Sequence, residues 1–135
     1  MNNNPGLTNT LALVGRILVA LIFVISGFGK IGGFEGVAGY IGSKGLPMPQ
    51  VLAALTIVLE LGGGILLILG YKTRWVAALF FLWLIPTTLI FHAFWGLDPK
   101  SAQQMQIHFL KNVSIMGGML MLVAFGPGAM SLDKR

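Results

Sequence analysis

Apolar side chains run almost unbroken through four stretches of the chain, at about residues 11–28, 51–69, 75–94 and 107–125. Each is close to the ~20 residues that carry an α-helix across a ~30 Å hydrocarbon layer. The first connection, residues 29–50, is long, rich in glycine and ends in Pro47-Met48-Pro49. Within it Phe34, Val37, Tyr40 and Ile41 recur at helical spacing, which fits either a short interfacial helix on the membrane surface or a loop with scattered apolar residues. The second connection, residues 70–74, is tight, so the spans on either side of it are antiparallel neighbours. The third, residues 95–106, is polar, and the tail breaks at Gly126-Pro127-Gly128. The pattern predicts an all-α membrane protein: an antiparallel four-transmembrane-helix bundle, one domain over residues 1–135.

Polar residues inside these runs carry the chemistry. Glu60 is the only charge between residues 51 and 70 and sits near mid-depth. A lone carboxylate there costs roughly 3 kcal/mol on insertion scales, which asks for a partner or a task. Arg16 lies about six residues into the first span. Lys111 and Asn112 lie about one turn into the fourth from the other side. His92 closes the third span on that side and His108 opens the fourth. Helical spacing groups them into stripes: Arg16, Phe23 and Lys30; Thr56, Glu60, Gly63, Gly64 and Leu67; Thr88, His92 and Trp95; His108, Lys111, Asn112 and Ile115. With these stripes inward, the bundle has a polar interior in which Arg16, Glu60, His92, His108, Lys111 and Asn112 form a candidate ligand site. In the plainer reading Glu60 pairs with Arg16 or Lys111 as a clamp that fixes helix order, Arg16 snorkels or makes that pair, Lys30 meets lipid headgroups, and the histidines are solvated or structural. Gly62-Gly63-Gly64 and Gly117-Gly118 allow close helix packing. Pro86 kinks the third span, with Thr87 and Thr88 taking up freed backbone groups. Trp75, Trp95 and Tyr71 suit an interfacial aromatic belt.

Composition narrows the class. The chain has 135 residues, a mean hydropathy of +0.85 and 10% charged residues, against about a quarter in soluble domains. With no cysteine, disulfides, thiol relays and Cys-ligated zinc or iron–sulfur clusters are excluded. The net charge of +5 speaks to loop orientation and anionic lipid rather than nucleic acid, because the Lys and Arg are scattered. No small-x-small cleavage site lies between Ala20 and Ser26, and Arg16 interrupts the run, so the first helix is expected to stay in the mature protein. Lys72, Arg74, Lys134 and Arg135 share the side of both termini, against Lys30, Lys44 and Lys100 on the other. That bias, with Arg16 reaching the same face, predicts cytoplasmic termini.

There is no Ser-His-Asp arrangement, no HExxH and no pair of carboxylates. The seven methionines suit packing better than a copper relay, lacking a regular repeat with histidine. Two histidines alone do not define a haem or metal site, and none is predicted.

The ordered set Arg16-Ile17-Leu18, Phe23-Val24-Ile25-Ser26-Gly27, Lys30, Gly45-Leu46-Pro47, Glu60-Leu61-Gly62-Gly63, Gly70-Tyr71-Lys72-Thr73-Arg74, Phe91-His92-Ala93-Phe94-Trp95, Phe109-Leu110-Lys111-Asn112 and Gly117-Gly118 resembles the DoxX family of small four-helix bacterial inner-membrane proteins, over almost the whole chain. The resemblance implies an inner (plasma) membrane location. It also implies association with membrane redox complexes, the family being named for a subunit of a thiosulfate:quinone oxidoreductase. It places Arg16, Glu60, His92, Lys111 and Asn112 in the family's polar set without giving them a reaction. Two function classes follow. In the first, the chain is an accessory, quinone-interacting subunit. Lys111, His92 or His108 hydrogen-bonds a quinone carbonyl, Glu60 carries a proton, and a soluble or peripheral redox protein supplies electrons; no other cofactor is indicated. In the second, it is a non-enzymatic adaptor, scaffold or small transport unit, with Glu60 as a structural ion pair. A proton or ion pathway would use the same residues. A homo-oligomer is compatible with each.

Overall fold

The computed structural model describes residues 4–133. It is all-helical: α1 (Pro5–Gly32), α2 (Phe34–Ser43), α3 (Pro49–Ile57), a π-helical segment (Val58–Gly63), α4 (Gly64–Leu69), α5 (Thr73–Phe91) and α6 (Pro99–Phe125). The segments α3, π and α4 are continuous, so Pro49–Leu69 is one span. With α1, α5 and α6 it makes four helices long and apolar enough to cross a membrane. The third span ends at Phe91, short of the expected 94, and the fourth begins at Pro99, well before the expected 107.

Local chemistry explains the ends. Asn4 caps α1 by accepting from the Leu7 N–H at 3.0 Å, and Asp98 caps α6 by accepting from Ser101 at 3.2 Å, each with proline in the first turn. The second span stops at Gly70, whose φ of 71° suits a residue without Cβ. Within α5, Thr87 donates to the Trp83 carbonyl at 2.8 Å, while the Thr88 hydroxyl is taken by Asn112.

Residues 34–43 resolve the open alternative: they are a helix, α2, which packs Ala38 and Ile41 against Ala53 of α3. Tyr40 lies on Phe91 with ring centroids 5.3 Å apart. The main core lies where α1, the second span, α5 and α6 meet, around Ala20, Phe23, Leu67, Phe80, Leu84 and Met119.

The first and second spans run antiparallel in tight register. A Cβ on Gly27 would come within 2.8 Å of the Leu61 backbone nitrogen, and one on Gly64 within 2.7 Å of Val24. Gly63, next to Gly64, instead faces α5, where a Cβ would meet Phe80 at 2.8 Å. Consecutive glycines, about 100° apart around the helix axis, thus serve two different neighbours. Gly62 and Gly117, also expected at tight contacts, have open space around them.

Candidate functional site

The antiparallel register decides what Glu60 meets. Opposite it on α1 lie Gly27, its neighbour Ser26 and, about one turn further on, Lys30. Lys30 Nζ donates to Glu60 Oε1 at 2.6 Å, and Ser26 Oγ donates to the same carboxylate at 3.3 Å. Glu60 is buried and the Lys30 side chain is partly exposed. This corrects two expectations. The partner of Glu60 is neither Arg16 nor Lys111, and Lys30 is engaged with a carboxylate, not with headgroups.

Arg16 lies 14 residues from Lys30 along α1, about 21 Å at 1.5 Å per residue. It is 2% exposed, so it does not snorkel. Its guanidinium donates to the carbonyls of Pro127 at 2.6 Å, Ile68 at 3.0 Å and Met130 at 3.0 Å. Ile68 lies in the last turn of the second span, so Arg16 brings positive charge to a helix C-terminus and satisfies one of its orphan carbonyls. The other two acceptors belong to the tail, which folds back over this end of the bundle. Leu132 and Asp133 donate backbone N–H groups to Leu69 and Gly70 at 3.0 and 2.9 Å. The Asp133 carboxylate then accepts from the Lys72 and Thr73 N–H groups, both at 2.8 Å, and caps α5. Sequence reading missed Asp133. Its only signal was an acid near a chain end, opposite a turn with no cap of its own. Lys134 and Arg135, used above for orientation, lie outside the described residues.

The remaining candidates converge at the opposite end. A cavity of about 1490 Å³ is lined by Ser26, Lys30, Glu60, His92, His108, Lys111 and Asn112 on its polar side. Phe23, Leu84 and Trp83 are among its apolar lining, and α2 contributes Gly36, Val37 and Tyr40. Asn112 is buried and donates to Thr88 Oγ1 at 3.1 Å. Lys111 and His108 are exposed on α6 yet contribute to the lining. The His92 and His108 rings are 5.4 Å apart, and His92 Nδ1 is buried without a hydrogen-bond partner. Among the described residues no three His, Asp or Glu side chains gather as a metal site. Trp95 departs from its predicted stripe: it is 59% exposed and packs edge-on against Phe94 and Phe109. The structure therefore places five of the six candidates, Glu60 among them, in the lining of one cavity and sets Arg16 apart.

His92, at the end of α5, is held below the ordinary histidine pKa of 6.5, first by burial and then by the charges of Lys111, His108, Lys30 and Lys44. It is accordingly neutral at pH 7. Because the unfolded chain takes up this proton more readily, the stability tied to His92 is intact above pH 6.5 and is lost as pH falls from there through the folded pKa. Thermal midpoints measured across that window are expected to fall less steeply in His92→Gln than in the parent.

The DoxX family model matches residues 11–93. The chain is 44% identical over 125 residues to inner membrane protein YphA of Escherichia coli, covering 93% of this chain and 89% of that protein. It is 36% identical over 122 residues to inner membrane protein YqjF of the same organism, covering 90% and 88%. A Bacillus subtilis protein, CatD, named as a candidate oxidoreductase, is 43% identical over 75 residues, covering 54% of this chain and 53% of its own. No solved structure matches.

Proposed function

This chain belongs to the DoxX family, and we propose that it works in the bacterial inner membrane as an accessory subunit of a redox complex, holding a quinone or similar apolar ligand. The observation that carries this reading is the 1490 Å³ cavity, apolar through most of its wall and polar at one end. Ligand sites have this character, a greasy body with a few placed polar groups. Lys111 or a histidine donates to a quinone carbonyl. The Lys30–Glu60 pair supplies a carboxylate and an ammonium in contact, between which a proton can be held or passed. Electrons come from a partner protein. The names of YphA and YqjF support the location, and that of CatD the redox setting. Both termini are cytoplasmic in this reading. With Lys30 consumed by its ion pair, the far side keeps Lys44 and Lys100 as loop cations, and the near side keeps Lys72 and Arg74 among the described residues, with Lys134 and Arg135 beyond them.

The test is direct. Protein extracted in mild detergent is expected to carry quinone, or to bind a short-chain quinone at micromolar concentration, and Glu60→Gln is expected to abolish proton-coupled turnover in the assembled complex. Failure of both the free protein and its complexes to bind quinone at that level removes the reading. The closeness of the Lys30–Glu60 contact favours a second one, a non-enzymatic adaptor in which the pair is purely a clamp.

A further inference from the structure

The walls of the cavity do not close at mid-depth. On the second span, Val58 is 68% exposed and Gly62 is exposed, yet both line the cavity. Facing them on α5, Leu79 is 54% exposed and Pro86 is exposed, and both line it too. These four residues sit in the middle of helices that cross the bilayer, so the opening between them faces acyl chains and not water. At the polar end the unspent capacity is for donation. Lys30 already serves Glu60, but Lys111 makes no ion pair among the described residues, and His92, which also lines the cavity, carries one N–H as a neutral imidazole. A lysine ammonium offers three donors and no acceptor.

Resting on the proposed ligand role of this cavity, we infer that its ligand is a lipid-dissolved amphiphile. It enters sideways between the second span and α5 and presents an acceptor-oxygen head, as a carboxylate or quinone carbonyl does, to Lys111 and His92. A cationic head is rejected at that end, where Lys111 repels it and the one carboxylate in the lining, Glu60, is already paired with Lys30. The tail lies along Trp83 and Phe23, whose ring centroids are 6.5 Å apart, and leads back toward Gly62 and the lipid.

Trp83 gives the readout. The chain has three tryptophans, and Trp75 and Trp95 are exposed, so Trp75→Phe with Trp95→Phe leaves Trp83 as the sole reporter. This protein, in nanodiscs of phosphatidylcholine, is titrated with a dibrominated eighteen-carbon fatty acid, with the trimethylammonium compound of the same chain, and with decyl-ubiquinone. Saturable quenching by the acid is expected, with the ammonium compound binding about tenfold weaker or worse, and Lys111→Gln should erase that preference. Gly62→Phe, at the side opening, and Gly36→Phe, on α2, both enter open space and should each remove the saturable component. Where one of them fails to elute as the parent does, the other carries the test. Acid and ammonium binding alike overturns the acceptor-head inference and leaves the cavity reading standing. Quenching lost in Gly36→Phe but kept in a folded Gly62→Phe overturns sideways entry. Quenching kept in both overturns the pocket and the proposed function with it. Acid without quinone supports this inference and removes quinone as the ligand; quinone competing with acid supports both.

Discussion

Arg16→Met is expected to free the C-terminal tail and lower stability by about 3–5 kcal/mol, since three charge-assisted hydrogen bonds, at about 1.5–3 kcal/mol each, are lost and water recovers part of them. The guanidinium donates to three carbonyls from two separate parts of the chain. Without it, the Pro127 carbonyl at least is left buried with its strongest donor gone, since Pro127 is itself fully enclosed. The loss does not stop there. Once residues 127–133 lift, the Asp133 carboxylate leaves the Lys72 and Thr73 N–H groups, and an N-cap is worth about 1 kcal/mol more. Arg16→Lys keeps the charge but not the fork that spans three acceptors, so an intermediate loss is expected. Hydrogen exchange resolves the mechanism. Tail amides 132 and 133 and the first turn of α5 should lose protection together, and the Lys30–Glu60 region should not. A stability within about 0.5 kcal/mol of the parent, the usual effect of a neutral substitution, would show that the clamp carries no weight. A charge swap between Arg16 and Glu60, which would rescue a direct pair, is expected to rescue nothing.

How much of this could be read from the sequence depends on which physical quantity set each feature. Span number and the inward stripes follow from apolar run length and from helical periodicity. Hence Phe23, Glu60, Leu67, Thr88 and Asn112 were legible as inward-facing, and all are buried. Pairing was not legible, because it depends on the axial register between helices. That register is fixed by how close Gly27 approaches Leu61 and Gly64 approaches Val24. Depth counted from each end put Arg16 and Glu60 on one polar track, but an antiparallel partner brings Glu60 to Lys30 and Arg16 to the end of the second span. Lys30 looked like a headgroup contact because it lies just past the expected end of an 18-residue apolar run. In the structure α1 continues to Gly32, which keeps Lys30 on the same stripe as Phe23. The π segment had no periodic signature beyond three glycines after a carboxylate. The Arg16–tail–Asp133 network joins residues 52 to 114 positions apart, and only the folded chain shows it.

Lys30→Met, made alone, should cost about 3 kcal/mol, because Glu60 is then a carboxylate buried among helices with only Ser26 to donate to it. Glu60→Leu alone should cost less, because the Lys30 side chain, partly exposed near the end of α1, can reach water or headgroups. The double variant Lys30→Met with Glu60→Leu is the informative one. If the pair acts only as a clamp, apolar replacement of both partners should return stability to within about 1 kcal/mol of the parent, as it does at other buried ion pairs, and any cellular phenotype should return with it. If the pair serves a bound ligand or a proton, stability should recover while ligand binding and the phenotype stay lost. Thermal unfolding in detergent and growth complementation, run on the same four proteins, separate the outcomes by a double-mutant cycle. A coupling energy near zero, with Lys30→Met no worse than a surface substitution, would mean that the 2.6 Å contact does not hold Glu60 in the membrane. The carboxylate would then have to be neutral or solvated through the cavity.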